Sequence, residues 1–208
     1  MDEGQGFTSA RVTPLTDDDL KEVADIIEVS KQANGYVPTS LRIMAHKPNI
    51  LRAFSGLINQ VMRTSSELPQ SMKWLAAHSV STSSGCRYCQ AHTASNSSKS
   101  TLSIEKIENL LLYKTSDIFE PQEKALIDFC LAAGDVPNSV DKKHFDHLRS
   151  FFTSEQIVEI VSVISLFGWL NRWNDTFASD LEEAPLAFAK KHLTRRGWDA
   201  GKHADKRK

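Results

Sequence analysis

The chain has 208 residues, 40% of them hydrophobic and 25% charged, so it is an ordinary globular sequence with enough apolar content for a sizeable core. A formal net charge of -1 gives no reason to expect a nucleic-acid partner. Three cysteines are too few for a secreted disulfide framework, and no apolar run approaches the ~18–20 residues of a membrane span. Neither a signal peptide nor a membrane anchor is visible, so the expected compartment is a reducing cytoplasm.

Residues 1–15 are polar and aperiodic and read as a flexible N-terminal arm. Thr16-Asp17-Asp18-Asp19 loads acids onto a helix start, after which Leu20, Val23, Ala24, Ile26 and Ile27 follow at helical spacing until Gly35. A short helix from Leu41 to His46 stops before Pro48, and a longer one runs from about Asn49 to Arg63. Pro69 suits the first turn of the next, which carries Trp74 and His78. Ser81-Thr82-Ser83-Ser84-Gly85 breaks that helix, and another opens near Cys86. Thr93 to Ser100 is polar and small. Ser103 then caps a short segment, Glu120-Pro121 opens a helix that ends at Gly134, and Phe145 and Leu148 mark another. Thr153 with Gln156 fits a capping box at the head of the longest apolar helix, which extends to about Phe177. Pro185 starts a last helix, and 197–208 is a basic tail expected to fray. No strand pair, repeat or linker is legible. The reading is one all-α domain, residues 16–196, of about eight to ten helices.

The chemistry concentrates in Gly85-Cys86-Arg87-Tyr88-Cys89-Gln90-Ala91-His92. A helix start favours a thiolate through its unpaired N–H groups and its dipole. Residues three apart share a face, so Cys86 faces Cys89 and Cys89 faces His92, whereas Cys86 and His92 point apart. The imidazole of His92 therefore belongs to Cys89. A redox dithiol, a zinc site that recruits His92 and His78, and an inert pair are all open to a C-x-x-C. No second C-x-x-C or H-x(3–5)-H supports zinc, and no metal is expected. Cys130 reads as a small buried hydrophobe, and Tyr88 as a hydrogen-bond donor or a packing residue. Glu159, Arg172 and Asp175 read as ion pairs on the long helix. His144, His147, His192 and His203 sit on polar faces and receive no role.

With its lead-in Leu75-Ala76-Ala77 through Ser81, and with Glu123-Lys124-Ala125-Leu126 and Glu159 to Asp175 beyond it, this motif resembles the carboxymuconolactone decarboxylase superfamily, in its alkyl hydroperoxidase D-like branch. The resemblance spans roughly residues 35–185. It implies an all-helical fold, homo-oligomers (often trimers or hexamers) and thiol-dependent reduction of hydroperoxides. By the resemblance Cys89 is the peroxidatic thiol and Cys86 the resolving one, with no bound cofactor and an external dithiol or disulfide reductase as electron donor. The family pattern is E-x(11)-C-x(2)-C-x(3)-H, and two positions depart from it. His92 falls three residues after Cys89 rather than four, and Trp74 stands where the pattern has Glu. His78, four residues after Trp74 on the same face, is the expected substitute in the proton relay. The expected site is thus Cys89, Cys86, His92 and His78. A lyase acting on a carboxylated lactone and a non-catalytic thiol sensor or binding module are the alternatives.

Overall fold

The computed structural model describes residues 8–204, and among them it contains ten α-helices and no strand. A 3-10 turn, Asp17–Val23, leads into α1 (Ala24–Asn34), which Gly35 ends in the left-handed region at φ 86°. Then come α2 (Thr39–Met44) and α3 (Pro48–Ile58), whose last turn widens into a π segment, Asn59–Arg63. Pro48, expected as a stop, is instead the first residue of α3, where its missing N–H costs nothing. The pair α4 (Gln70–Ser83) and α5 (Arg87–Ser97) carries the cysteine turn. They are followed by α6 (Ile104–Glu108), α7 (Pro121–Gly134), α8 (Lys142–Arg149), α9 (Ser154–Phe177) and α10 (Glu183–His192). No helix among the described residues is long and apolar enough to cross a membrane.

The sequence caps do what their chemistry allows. The Thr153 hydroxyl accepts from Gln156 N–H at 3.3 Å, and the Gln156 amide oxygen accepts from Thr153 N–H at 3.0 Å. Glu123 closes the start of α7 in the same way, accepting from Glu120 N–H at 2.8 Å. The small polar run after the motif does not break the helix, so α5 continues to Ser97. Its hydroxyls are satisfied inside the helix: Thr93 Oγ1 donates to Cys89 O and Ser97 Oγ to Thr93 O, both at 2.7 Å.

The core is centred on α4, which packs against α5, α7 and α9. Nearly all of it is buried, and Ala76, Ala77, Ser79 and Ser81 are small enough for neighbouring backbones to approach closely. The buried stripe of α9, Ile157, Ile160, Ile164, Phe167, Asn171 and Asn174, steps by three and four residues, while Val158, Val161 and Trp169 stay exposed. Both chain ends close onto this core. Residues 8–15 lie within the expected arm, yet Ser9 N–H donates to Asp180, and Arg11 N–H donates to Phe177 O at 2.8 Å. The expected fraying of the tail does not hold over 198–203. Trp198 is buried with its indole N–H on Arg87 O at 3.3 Å, and His203 is fully buried. These contacts supply partners that a polar, basic tail composition does not announce. Residues 1–7 and 205–208 lie outside the described residues.

Gly134, at the α4–α7 crossing, has room for no side chain. A Cβ there would meet Ser83 Cβ at 2.7 Å and Val80 O at 3.1 Å, directly behind the cysteine turn. Gly134→Ala is therefore expected to lose about 1–3 kcal/mol of stability despite the better helix propensity of alanine, measurable as a lowered urea midpoint.

Candidate active site

The turn between α4 and the Cys86 N-cap of α5 is two residues long, Ser84 and Gly85, and Gly85 makes it at φ 71°. It leaves Cys86 extended as the N-cap of α5, where its sulfur accepts the backbone N–H of Cys89 at 3.4 Å. Cys89 is then one turn into the helix, and Asn174 of α9 donates to its sulfur at 3.5 Å. Ser179 Oγ holds that amide by donating to Asn174 Oδ1 at 2.8 Å. Both thiols are buried and reduced.

The two sulfurs differ sharply in charge preference. The Cys86 thiol is held below its usual range, first by the hydrogen bond from the Cys89 thiol and then, against the cost of burial, by backbone N–H groups at the helix start. The Cys89 thiol is pushed well above its usual range by burial and by the Cys86 sulfur that receives its hydrogen bond. The pair thus favours negative charge on Cys86 and the hydrogen on Cys89.

Only Cys89 of the two lines the main cavity, a space of about 390 Å³ among α1–α5 and α9. Ile26, Leu51, Phe54, Trp74, Phe167 and Leu170 supply its apolar wall. Trp74, at the position where the family pattern has Glu, meets Phe167 edge-on at 6.4 Å and forms part of that wall.

His92 lines the same cavity, as its spacing from Cys89 predicts, and stacks on Tyr88 at 4.2 Å. Its partner is Glu182, just ahead of α10: His92 Nε2 lies 2.6 Å from Glu182 Oε2, with both side chains 13% exposed. The other carboxylate oxygen accepts from the Tyr88 hydroxyl at 3.1 Å and from Thr39 N–H at 2.5 Å. Burial raises the Glu182 pKa, but the His92 charge and the hydrogen bonds from His92 and Thr39 outweigh it, so the carboxyl stays ionised. A carboxylate accepts only, so His92 carries a proton on Nε2, while Nδ1 faces the Tyr36 hydroxyl at 3.3 Å. Burial, with the Glu182 charge added, raises both the Tyr36 and Tyr88 phenols, which keeps them as donors.

His78 is not brought to the thiols. It lines a separate cavity of about 320 Å³ with Gln90, Arg87 and Trp198. Its Nδ1 sits 2.9 Å from Thr93 Oγ1, and that hydroxyl gives its hydrogen to the Cys89 carbonyl, so His78 buttresses the α5 backbone. Burial lowers its pKa from 6.5 to about 4, leaving it neutral at pH 7. The carboxylate that reaches His92 is Glu182, which lies 90 residues beyond it in the chain.

Around Cys86 the structure assembles a second group that sequence reasoning did not single out. The Cys86 sulfur, an Asp175 carboxylate oxygen and a His203 ring nitrogen lie within 4.8 Å of one another. Three such atoms are one short of a closed structural zinc site, and Asp175 is already paired to Lys202 Nζ at 2.8 Å.

No family model matches the chain, and no curated protein does. Solved structures do. The apo debrominase Bmp8 is 30% identical, with 87% of this chain and 97% of that chain covered at a TM-score of 0.80. A cysteine-to-alanine variant of Bmp8 in complex with 2,3,4-tribromopyrrole is 28% identical, covering 88% and 98% at a TM-score of 0.81. An uncharacterised peroxidase-related protein with an alkylhydroperoxidase AhpD core, from Ralstonia eutropha, is 22% identical over 88% and 97% with a TM-score of 0.73, a likeness of fold.

The low pKa of His78 has a thermodynamic consequence. Below pH 6.5 the unfolded chain protonates this histidine and the folded chain does not, so folded stability falls as pH drops from 6.5 towards 4. At 1.36 kcal/mol per unit the loss from this one group is ~3 kcal/mol. His78→Asn, which retains a donor for Thr93, is expected to flatten that part of the pH–stability curve in urea unfolding while leaving neutral-pH stability less affected.

Proposed function

The chain belongs to the carboxymuconolactone decarboxylase superfamily, on its alkyl hydroperoxidase D-like side, and from that premise we propose a thiol-dependent oxidoreductase that reduces organic hydroperoxides through Cys86 and Cys89. The observation that carries the reading is a buried dithiol of which only Cys89 lines an apolar cavity, one it shares with His92 and that residue's link to Glu182.

The steps follow from where the protons are. An unperturbed thiol of pKa ~8.5 is about 3% ionised at pH 7, and burial makes Cys89 still less so. Its hydrogen-bond partner is the Cys86 thiolate, which takes the proton as Cys89 attacks the distal peroxide oxygen. The O–O bond breaks, Cys89 becomes a sulfenic acid, and the departing alkoxide is protonated from the His92–Glu182 pair. Cys86 then displaces the sulfenic oxygen as water and closes the disulfide. An external dithiol returns two electrons by exchange.

Reductive dehalogenation is the second reading, favoured by the identity to Bmp8 across nearly its whole length and by the aromatic wall of the cavity. The electron count is the same: a halogen leaves carbon as an electrophile onto Cys89, a proton replaces it on carbon, and Cys86 displaces halide to give the same disulfide. Two assays separate the readings. Cumene hydroperoxide is expected to consume two thiols per chain, restored by dithiothreitol, in wild type but not in Cys89→Ser. Bromide released from a brominated pyrrole in step with thiol loss, with no reaction towards hydroperoxide, would establish the second reading instead.

We also propose a homo-oligomer, a trimer or hexamer. Ile50, Leu57, Val158, Val161 and Trp169 form an exposed apolar stripe over α3 and α9, more than scattered surface hydrophobes require. Trp169 stacks on Phe54 at 5.1 Å and on Trp173 at 4.9 Å, which holds it in place as part of a flat surface. Light scattering is expected to give an oligomer for wild type and monomers for Trp169→Glu with unchanged circular dichroism.

A further inference from the structure

The imidazole of His203 is fully buried, yet one of its nitrogens has no hydrogen-bond partner among the described residues. Its Nδ1 lies 2.9 Å from the Ser179 carbonyl oxygen, which can only accept, so Nδ1 carries a hydrogen. In the neutral ring that leaves Nε2 as a bare lone pair. This nitrogen is 3.5 Å from Asp175 Oδ1, and the Cys86 sulfur lies within 4.8 Å of a ring nitrogen of His203 and of an Asp175 carboxylate oxygen. A buried acceptor without a donor is costly, and Cys86, once it carries the proton taken from Cys89, is a thiol donor in the same cluster.

We propose that His203 is the general base for Cys86 in the resolving half of the reaction, with Asp175 as the outlet for the proton. The inference rests on the dithiol reading of the site and deepens it. Once Cys86 has taken the Cys89 proton it is a neutral thiol and cannot attack. Transfer of that proton to His203 Nε2 regenerates the thiolate. The Cys86 sulfur then donates its electron pair to the sulfenic sulfur of Cys89, the S–O bond breaks, and the oxygen leaves as hydroxide, which takes a solvent proton to become water. His203 returns its proton through the Asp175 carboxylate, whose side chain is 48% exposed, to solvent. No external oxidant or reductant enters this step.

The surroundings suit a base more than a cation. The charged and titratable groups facing the ring are Cys86 and Tyr88 from the start of α5, Asp175 from α9, and Lys202 from its own segment. The Lys202 ammonium, 2.8 Å from Asp175, already neutralises the carboxylate that a divalent ion would need. Burial lowers the His203 pKa, and the Ser179 carbonyl and the nearby Asp175 charge only partly oppose this, so the ring is neutral and free to accept. Asp175 by itself disfavours a Cys86 thiolate, and an imidazolium formed between the two removes that repulsion.

The test uses His203→Asn, whose side-chain amide keeps a donor for the Ser179 carbonyl and has no basic nitrogen. In stopped-flow with cumene hydroperoxide, formation of the Cys89 sulfenic acid is expected at the wild-type rate, while disulfide closure slows by about tenfold or more, a typical loss for one general base. An unchanged closure rate overturns the proposal. So does one equivalent of zinc per chain that is lost in both His203→Asn and Cys86→Ser. If His203→Asn does not fold, Asp175→Asn carries the same measurement, with a smaller slowing expected. A wild type inert to hydroperoxide would refute the peroxidase reading alone. His203 is then decided by thiolate absorbance at 240 nm in a Cys89→Ala background, where adding His203→Asn should move the Cys86 midpoint to higher pH; coincident titrations would refute the base assignment.

Discussion

A single backbone hydrogen bond orders the chemistry of this protein: the N–H of Cys89 donates to the sulfur of Cys86. Because Cys86 is the N-cap, its sulfur sits where the unpaired amides of α5 converge, and negative charge is favoured there. Cys89, one turn further on, gains none of that field and is buried against α9. Identical side chains three residues apart therefore hold opposite protonation states. Had the helix begun one residue earlier, both sulfurs would lie inside it and this asymmetry would vanish. The two-residue turn at Gly85 is what sets the register.

The last quarter of the chain completes a site whose nucleophiles come from its middle. Asn174 and Asp175 reach the cysteines from α9, Glu182 reaches His92 from the start of α10, and His203 folds back onto Cys86. Burying Glu182 depends on the charge and donors around it. Leaving either member of such a pair alone in the interior typically costs 3–5 kcal/mol. Here His92, Tyr88 and Thr39 surround the carboxylate, tying α10 to α5 and α2. Charge satisfaction at the site is thus also what docks the C-terminal region.

The helical fold was legible because its signals are local. Caps at Thr153 and Glu120, the left-handed stop at Gly35 and the three-four spacing on α9 all act within a few residues. The dithiol and its imidazole were legible for the same reason, since the i, i+3 spacing puts Cys89 and His92 on one side of α5. What failed was inference across the chain. His78 shares a helix face with Trp74, but its ring meets Thr93 and lines a cavity that holds neither thiol. Glu182 and His203 carry no local mark of their role: one reads as an ordinary acidic helix start and the other as part of a basic tail. Burial of Trp198 is what brings that tail down, and a lone tryptophan in a polar segment is a weak advance signal of docking.

Trp74 is where the departure from the family pattern becomes a statement about substrate. A carboxylate on α4 would place charge in the cavity wall, whereas an indole there extends a continuous apolar lining with Leu51, Phe54 and Phe167. The carboxylate beside His92 is Glu182, 2.6 Å from its Nε2. Such a cavity offers a small, strongly hydrated peroxide almost no binding energy, because there is little apolar area on the ligand to bury. An organic group gains ~25 cal/mol for each Å² it hides, so an alkyl or aryl substituent covering about 100 Å² is favoured by ~2.5 kcal/mol, roughly seventyfold. A cavity wall without a carboxylate therefore fits an organic ligand better than a small hydrated one, which both the hydroperoxide and the halocarbon readings require.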